Sequence, residues 1–306
     1  MEKYLILNAD DFGQSEAANQ AIMYLLEERK VSSATIMPPA SAFEQAAAWC
    51  RKQKAANIGL HLTLTSEIAA LPWKSLTGDP SLEGPDGRMH ATIEAFERQS
   101  DPKAVVREMQ AQFQAVKQAG LTVSHADNHM GSLYGLATGR SYLPQVLWQC
   151  SRRGLPFRLF RWIDPRDKFL ASIPGAEQAL RKVVHLADTL GVPIPDYLLS
   201  HTYGVEEGET YESFKQMMLA KLYDLPEGIC ETYIHPAAED EHMSALVPSW
   251  EKRVWEYKLM QGDDFAYALR DAKVALATYD DVRKYRKKPR LKSAAVLLRS
   301  LMTRQK

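Results

Sequence analysis

The chain has 306 residues and a mass of 34.5 kDa. It is 45% hydrophobic and 25% charged with 16 glycines and 16 prolines, which excludes a collagenous, disordered or disulfide-stapled polymer. Thirty-eight basic residues balance thirty-eight acidic ones, so no overall field draws the molecule to nucleic acid, and no nucleic-acid partner is expected. The balance hides a division: Arg283 to Lys306 holds ten basic residues and no acidic one, leaving 28 against 38 before it.

Tyr4-Leu5-Ile6-Leu7 is a short apolar run with the branched and aromatic side chains of a buried strand. From Ser15 to Lys30 apolar residues recur at Ala18, Ile22 and Leu25, the spacing of one helix face. The alternation continues with a strand at Ala34 to Met37, a helix at Phe43 to Gln53 and a strand at Ile58 to Leu64. Pro72 to His90 is polar and rich in turn formers, so residues 72–90 are expected to be a lid or insertion loop. Asp101 with Pro102 opens a helix that Gly120 ends, and Leu121-Thr122-Val123 follows as strand. Beyond lie a helix at Tyr142 to Arg153, a strand at Phe157 to Phe160, a helix at Ala176 to Leu190 and a strand at Tyr197 to Leu199. A helix at Tyr211 to Tyr223 and a strand at Ile229 to Ile234 complete the pattern.

Strands alternating with helices define an α/β fold with a mostly parallel sheet, open or closed into a barrel. Active groups in such folds gather at the carboxyl ends of the strands. Residues 1–282 are expected to form one catalytic unit, and residues 283–306 a basic amphipathic tail. That tail suits packing on the acidic body, on a second copy in a homodimer, or peripherally on an anionic membrane.

The strand ends carry the chemistry. Asp10 and Asp11 are adjacent carboxylates following the first apolar run, read either as an Asx-type turn with Gly13 at the bend or as a pair whose roles a metal would separate, one coordinating and one left as base. His61 lies in the third strand run, and His125, Asp127 and His129 emerge together after the fourth. An aspartate and two histidines from three strand ends would hold an ion with open positions, the catalytic arrangement. His235 closes the last strand, with three readings open: a fourth ligand, a general acid, or a polar strand end. Arg158 and Arg161 flank a strand, where Arg158 could reach a polar substrate group or pair with an acid. His201 is structural or faces substrate, and His90, His185 and His242 are expected in solvent. No phosphate-binding glycine loop and no G-x-S-x-G elbow occurs. Three widely spaced cysteines, no leader-like start and no long apolar window point to the cytoplasm.

Together Leu7-Asn8-Ala9-Asp10-Asp11-Phe12-Gly13, Gly59-Leu60-His61, His125 to His129 and His235-Pro236 resemble the YdjC-like carbohydrate deacetylases, in family order over roughly residues 4 to 240. The resemblance implies a deformed (β/α) barrel related to polysaccharide deacetylases. It implies one divalent ion, magnesium or zinc, and hydrolysis of the N-acetyl group of an amino sugar or oligosaccharide. By position, Asp11, His61 and His129 would be metal ligands and Asp10 the free carboxylate, with His235 protonating the departing amine. Asn128, Gly131 and Ala237 depart from the family's usual pattern, which bears on sugar contacts. Competing expectations are hydrolysis or isomerisation of another sugar-like substrate on the same metal, and a carbohydrate-binding protein without turnover.

Overall fold

The computed structural model describes residues 2–164, 166, 175–247, 249–285 and 287–289. Among them seven strands form one parallel sheet: β1 (Lys3–Phe12), β2 (Ser33–Ile36), β3 (Ile58–Leu62), β4 (Ala126–Asn128), β5 (Tyr197–Leu199), β6 (Gly228–Ile234) and β7 (Val274–Leu276). Their order is β4-β3-β2-β1-β6-β5, with β7 paired to β1. The long β1 serves two neighbours on one side. Its first residues, Lys3 to Leu5, lie beside β7, and its last, Asn8 to Phe12, beside β2.

The helices α1 (Glu16–Glu27), α2 (Phe43–Gln53), α4 (Pro102–Gln118), α5 (Leu143–Arg153) and α6 (Ala176–Leu190) connect the strands, with α3 (Ile93–Gln99) preceding α4. Their ends follow local chemistry. The Ser15 hydroxyl accepts from Ala18 N, and Asp101 accepts from Lys103 N and Ala104 N with Pro102 at the first position. Gly154 and Gly191 close α5 and α6 in the left-handed conformation, and at Gly191 a Cβ would stand 2.5 Å from the Lys287 carbonyl. The helices α7 (Tyr211–Tyr223), α8 (Glu241–Leu246), α9 (Trp250–Gln261), α10 (Asp264–Asp271) and α11 (Tyr279–Arg283) follow β5.

The sheet is curled, with an apolar outer face and a polar inner one. Leu5, Leu7, Ala9, Ile36, Leu60 and Leu62 pack outward into the helix layer as one buried core. On the inner face side chains bond across strands: Asn8 Nδ2 donates to Thr35 Oγ1 at 3.0 Å, and Thr35 Oγ1 to Asp127 Oδ2 at 2.9 Å. The edges β4 and β5 are not joined to each other. An extended segment closes the gap: Arg158 N donates to Ala126 O, and Arg161 N to Asp196 O just before β5.

Several expected boundaries change. The first strand does not stop at Leu7 but carries Asp10 and Asp11 within it. Leu121-Thr122-Val123 is not a strand; β4 begins at Ala126, inside the histidine-rich motif. Phe157 to Phe160 makes only a single bridge, Ala126 to Phe157. The 72–90 stretch is packed onto the body: Trp73, Leu82 and Met89 are buried, and Glu108 of α4 accepts from Leu76 N and Thr77 N at 3.0 Å each. His90 lies inside this packing rather than in solvent, its Nε2 3.1 Å from Ser81 O. Most of the basic tail, residues 290–306, lies outside the described residues, but its start is docked, with Lys287 Nζ 2.6 Å from Asp188 of α6.

Candidate active site

A register irregularity in β1 builds the centre. Between Ala9 and Phe12 its pairing with β2 shifts, and Asp11 adopts φ 67°. Aspartate tolerates that left-handed conformation better than most residues. The extra residue turns Asp11 toward the polar interior beside Asp10, where strict alternation would have sent one of them into the outer core.

Asp11 Oδ1 lies 3.4 Å from His61 Nε2 and 3.2 Å from His129 Nδ1, and those two nitrogens are 3.3 Å apart. Among the described residues Asp11 Oδ1 is buried without a hydrogen-bond partner. Its other oxygen accepts from Arg253 Nη2 at 2.7 Å and Gln14 Nε2 at 3.0 Å. The remaining nitrogen of each histidine meets a carboxylate: His61 Nδ1 is 2.7 Å from Asp127 Oδ1, and His129 Nε2 is 2.8 Å from Glu67 Oε2. Such carboxylates fix the ring orientation and leave the opposite nitrogen's lone pair for an ion.

The triangle fits a metal. Ligand atoms about 2.0–2.1 Å from a tetrahedral ion stand about 3.3 Å apart. The electrostatics agree, because the cluster demands positive charge. Burial pulls His61 down, but Asp127, Asp11 and Asp10 outweigh it and push the imidazole up to about 10. Against the same burial penalty, Glu67 and Asp11 push His129 up to about 9.

Asp10 sits beside the triangle with both oxygens engaged. Arg158 Nη1 donates to Oδ2 and Nη2 to Oδ1, each at 2.7 Å, and Asn8 Nδ2 donates to Oδ1 at 2.7 Å. Burial favours the neutral acid, yet Arg158 overcomes it and holds Asp10 well below the usual carboxylate range.

Arg158 is held among acids. It is 4% exposed, and beyond Asp10 it reaches Asp127 Oδ2 at 2.9 Å and Glu231 Oε1 at 2.8 Å, over the Tyr233 ring at 4.9 Å. The acid-paired alternative is the one adopted.

His235, half-buried at the end of β6, stands edge-on to the rings of Tyr203 (5.0 Å) and Tyr233 (5.6 Å). Burial keeps its imidazole below the ordinary value against the opposing charges of Asp11, Glu256 and Asp10. Its backbone N–H is fixed by Glu256 Oε2 at 2.6 Å, and the other Glu256 oxygen takes His201 Nε2 at 2.7 Å, so His201 supports the wall. His125 is also structural. Its ring stacks on Tyr279 at 3.7 Å and 10°, and burial pushes its imidazole well below the ordinary value.

Sequence reasoning missed Glu67, Tyr203, Glu231, Arg253 and Glu256 among the groups around this centre. Arg253 and Asp11 are 242 positions apart, so no local pattern joins them. Glu231, Tyr233 and His235 did carry a signal, an every-second-residue polar series along β6.

The curled parallel sheet and the buried Asp-His-His triangle beside an arginine-clamped aspartate define an α/β half-barrel with a polar centre at its strand ends. A family model described as YdjC-like protein matches residues 4–271, and the chain belongs to that family. A protein named carbohydrate deacetylase from Brevibacillus brevis is 27% identical over 285 residues, spanning 91% of this chain and 99% of that one. A Geobacillus stearothermophilus protein of the same name is 26% identical over 287 residues, spanning 93% and 100%. The fold is shared with an Enterococcus faecalis protein whose crystal structure is described as that of a cellobiose-phosphate cleavage protein. The two agree with a TM-score of 0.68 at 24% identity, over 92% of this chain and 99% of that one.

Proposed function

We propose that the protein is a metal-dependent deacetylase that removes the N-acetyl group from an amino sugar or a short oligosaccharide bearing one. The observation carrying this reading is the triangle of Asp11 Oδ1, His61 Nε2 and His129 Nδ1, with edges of 3.2–3.4 Å, set beside the separately held carboxylate Asp10. The names of the curated relatives support the substrate class.

A divalent ion held by those three atoms would supply Lewis acidity to the amide carbonyl and to the attacking water. One aspartate and two histidines would suit zinc or magnesium. Asp10 stays ionised because Arg158 neutralises it, and it takes one proton from the water as that oxygen bonds to the carbonyl carbon. His235, protonated from solvent, gives that proton to the nitrogen as the carbon–nitrogen bond breaks, and the proton on Asp10 returns to solvent as acetate and the free amine leave. Burial lowers the His235 imidazole below its ordinary value, so a proton gained there is readily passed on. Arg253 and Gln14 hold the outer oxygen of Asp11, so the inner one keeps its direction. Three free, buried cysteines suit a reducing compartment, which supports the cytoplasm. Among the described residues no helix is long and apolar enough to cross a membrane.

The test is acetate release from N-acetylglucosamine and its short β-linked oligomers, using metal-stripped protein restored with zinc, magnesium, manganese or cobalt. His129→Ala and Asp10→Asn serve as controls. Metal-dependent release that both substitutions abolish is expected, with Asp10→Asn still binding metal. Stoichiometric metal with no release on any sugar would overturn the deacetylase reading.

A further inference from the structure

The polar interior continues below the reacting groups to the C-terminal strand and helix. There β7 pairs with the first residues of β1, Ala277 N donates to Leu5 O at 2.9 Å, and Thr278 caps α11. This folds Tyr279 inward beneath the catalytic centre, 1% exposed. Its ring lies flat on His125, and its hydroxyl donates to Glu231 Oε2 at 2.5 Å. Glu231 Oε1 accepts from Arg158 Nε at 2.8 Å, and both terminal nitrogens of Arg158 hold Asp10. A hydrogen-bonded line therefore runs from Tyr279 through Glu231 and Arg158 to the base carboxylate, and Tyr279 lies beyond residues 4–271 matched by the family model.

The placement is tight. A Cβ at Gly59 would stand 2.5 Å from His125 Cε1, so the ring on which Tyr279 stacks has no room to shift toward β3. Glu231 is fully buried, so losing the donor to one oxygen leaves that oxygen unpaired in a low-dielectric interior. Its remaining bond fixes the rotation of the planar Arg158 fork about Nε, and that rotation decides whether both oxygens of Asp10 are met at once.

We propose that Tyr279 is a positioning residue for Asp10, acting through Glu231 and Arg158 from a C-terminal strand–helix segment that closes the floor of the site. The proposal rests on the reading of Asp10 as the base of a deacetylase, and one arm of its test does not need turnover.

Tyr279→Phe, Glu231→Gln and the double variant are prepared with metal restored. kcat and KM are read for acetate release, the thermal midpoint is recorded, and the side-chain Nε–H resonance of Arg158 is followed by ¹⁵N NMR. Tyr279→Phe keeps the ring on His125. It is expected to move the Arg158 resonance and lower kcat about tenfold with KM within about twofold, the loss of one buried charge-linked hydrogen bond. The double variant should be no slower than the slower single one, because both act on one line. An unmoved Arg158 resonance, an unchanged kcat, or fully additive losses would overturn the proposal. If the wild-type protein is inert on every sugar, the deacetylase reading fails, and the Arg158 resonance alone decides whether Tyr279 holds the guanidinium.

Discussion

Asp10 and Arg158, 148 positions apart in the chain, meet as a two-point carboxylate–guanidinium pair with 2.7 Å at each contact. Three carboxylates share this one guanidinium, Asp10, Asp127 and Glu231. Asp127 also holds His61, so the arginine ties Asp10 to His61 through a single intermediary. The proposed base and the proposed ion site are therefore parts of one hydrogen-bonded network.

Replacing Arg158 with lysine keeps the charge but loses the fork. One ammonium cannot meet both Asp10 oxygens and Glu231 together. kcat/KM is expected to fall about a hundredfold, from roughly 3 kcal/mol of lost charge-assisted bonding, while metal still binds at one per chain. Steady-state kinetics beside metal analysis checks it. Activity within about threefold of wild type would show that Asp10 needs only a neighbouring charge.

Glu67 meets the back of His129, on the nitrogen facing away from the triangle. Glu67→Gln keeps the shape but removes the negative charge that makes the imidazole a stronger ligand. Metal affinity is expected to weaken by about ten- to a hundredfold, with the overall fold unchanged. Titration of the metal-stripped protein by calorimetry gives the number, and equal affinity in variant and wild type would remove Glu67 from the metal's support.

The helices were legible because their ends are local events. Asp101-Pro102, Gly154 and Gly191 act within one turn of themselves, and α4, α5 and α6 end where those residues direct. The strands were less legible wherever one face is polar. Apolar runs mark β1 only to Leu7, yet the strand carries on through Asp10 and Asp11 because its inner face lines a polar interior. The same holds for β4, whose residues Ala126-Asp127-Asn128 contain little to suggest a strand. Phe157 to Phe160 has the composition of a strand but closes the gap between two sheet edges, a job set by the curl of the sheet. The motif residues Asp11, His61 and His129 do come together in space. Arg253, Glu256 and Tyr279 carry no local sign, because the partners that draw them to this centre lie far away in sequence.

Gly59 illustrates a constraint that only packing explains. Its missing side chain leaves room for His125 and Thr35, whose nearest atoms would stand 2.5 and 2.7 Å from an added Cβ. Neither can yield cheaply, since His125 is stacked on Tyr279 and Thr35 bonds Asp127. Gly59→Ala is expected to cost about 1–3 kcal/mol of stability through overpacking, a drop of several degrees in Tm. Calorimetric melting tests this. A midpoint equal to wild type would mean the interior has slack between β3 and β4.

Glu231 makes the interior's electrostatics visible in stability. Burial pushes its carboxyl up to about 7, against the lowering pull of Arg158 and the Tyr279 hydrogen bond. The folded protein therefore keeps this proton to higher pH than the unfolded chain does. That contribution is complete below the ordinary value of 4.5, and it is lost as pH rises through about 7. Glu231→Gln carries no such proton. The difference in unfolding free energy between variant and wild type should thus move in the variant's favour from pH 5 to pH 8, by on the order of 2 kcal/mol. Chemical denaturation at each pH measures it. Parallel curves for the two proteins across this window would show that Glu231 is ionised throughout, its charge fully matched by Arg158.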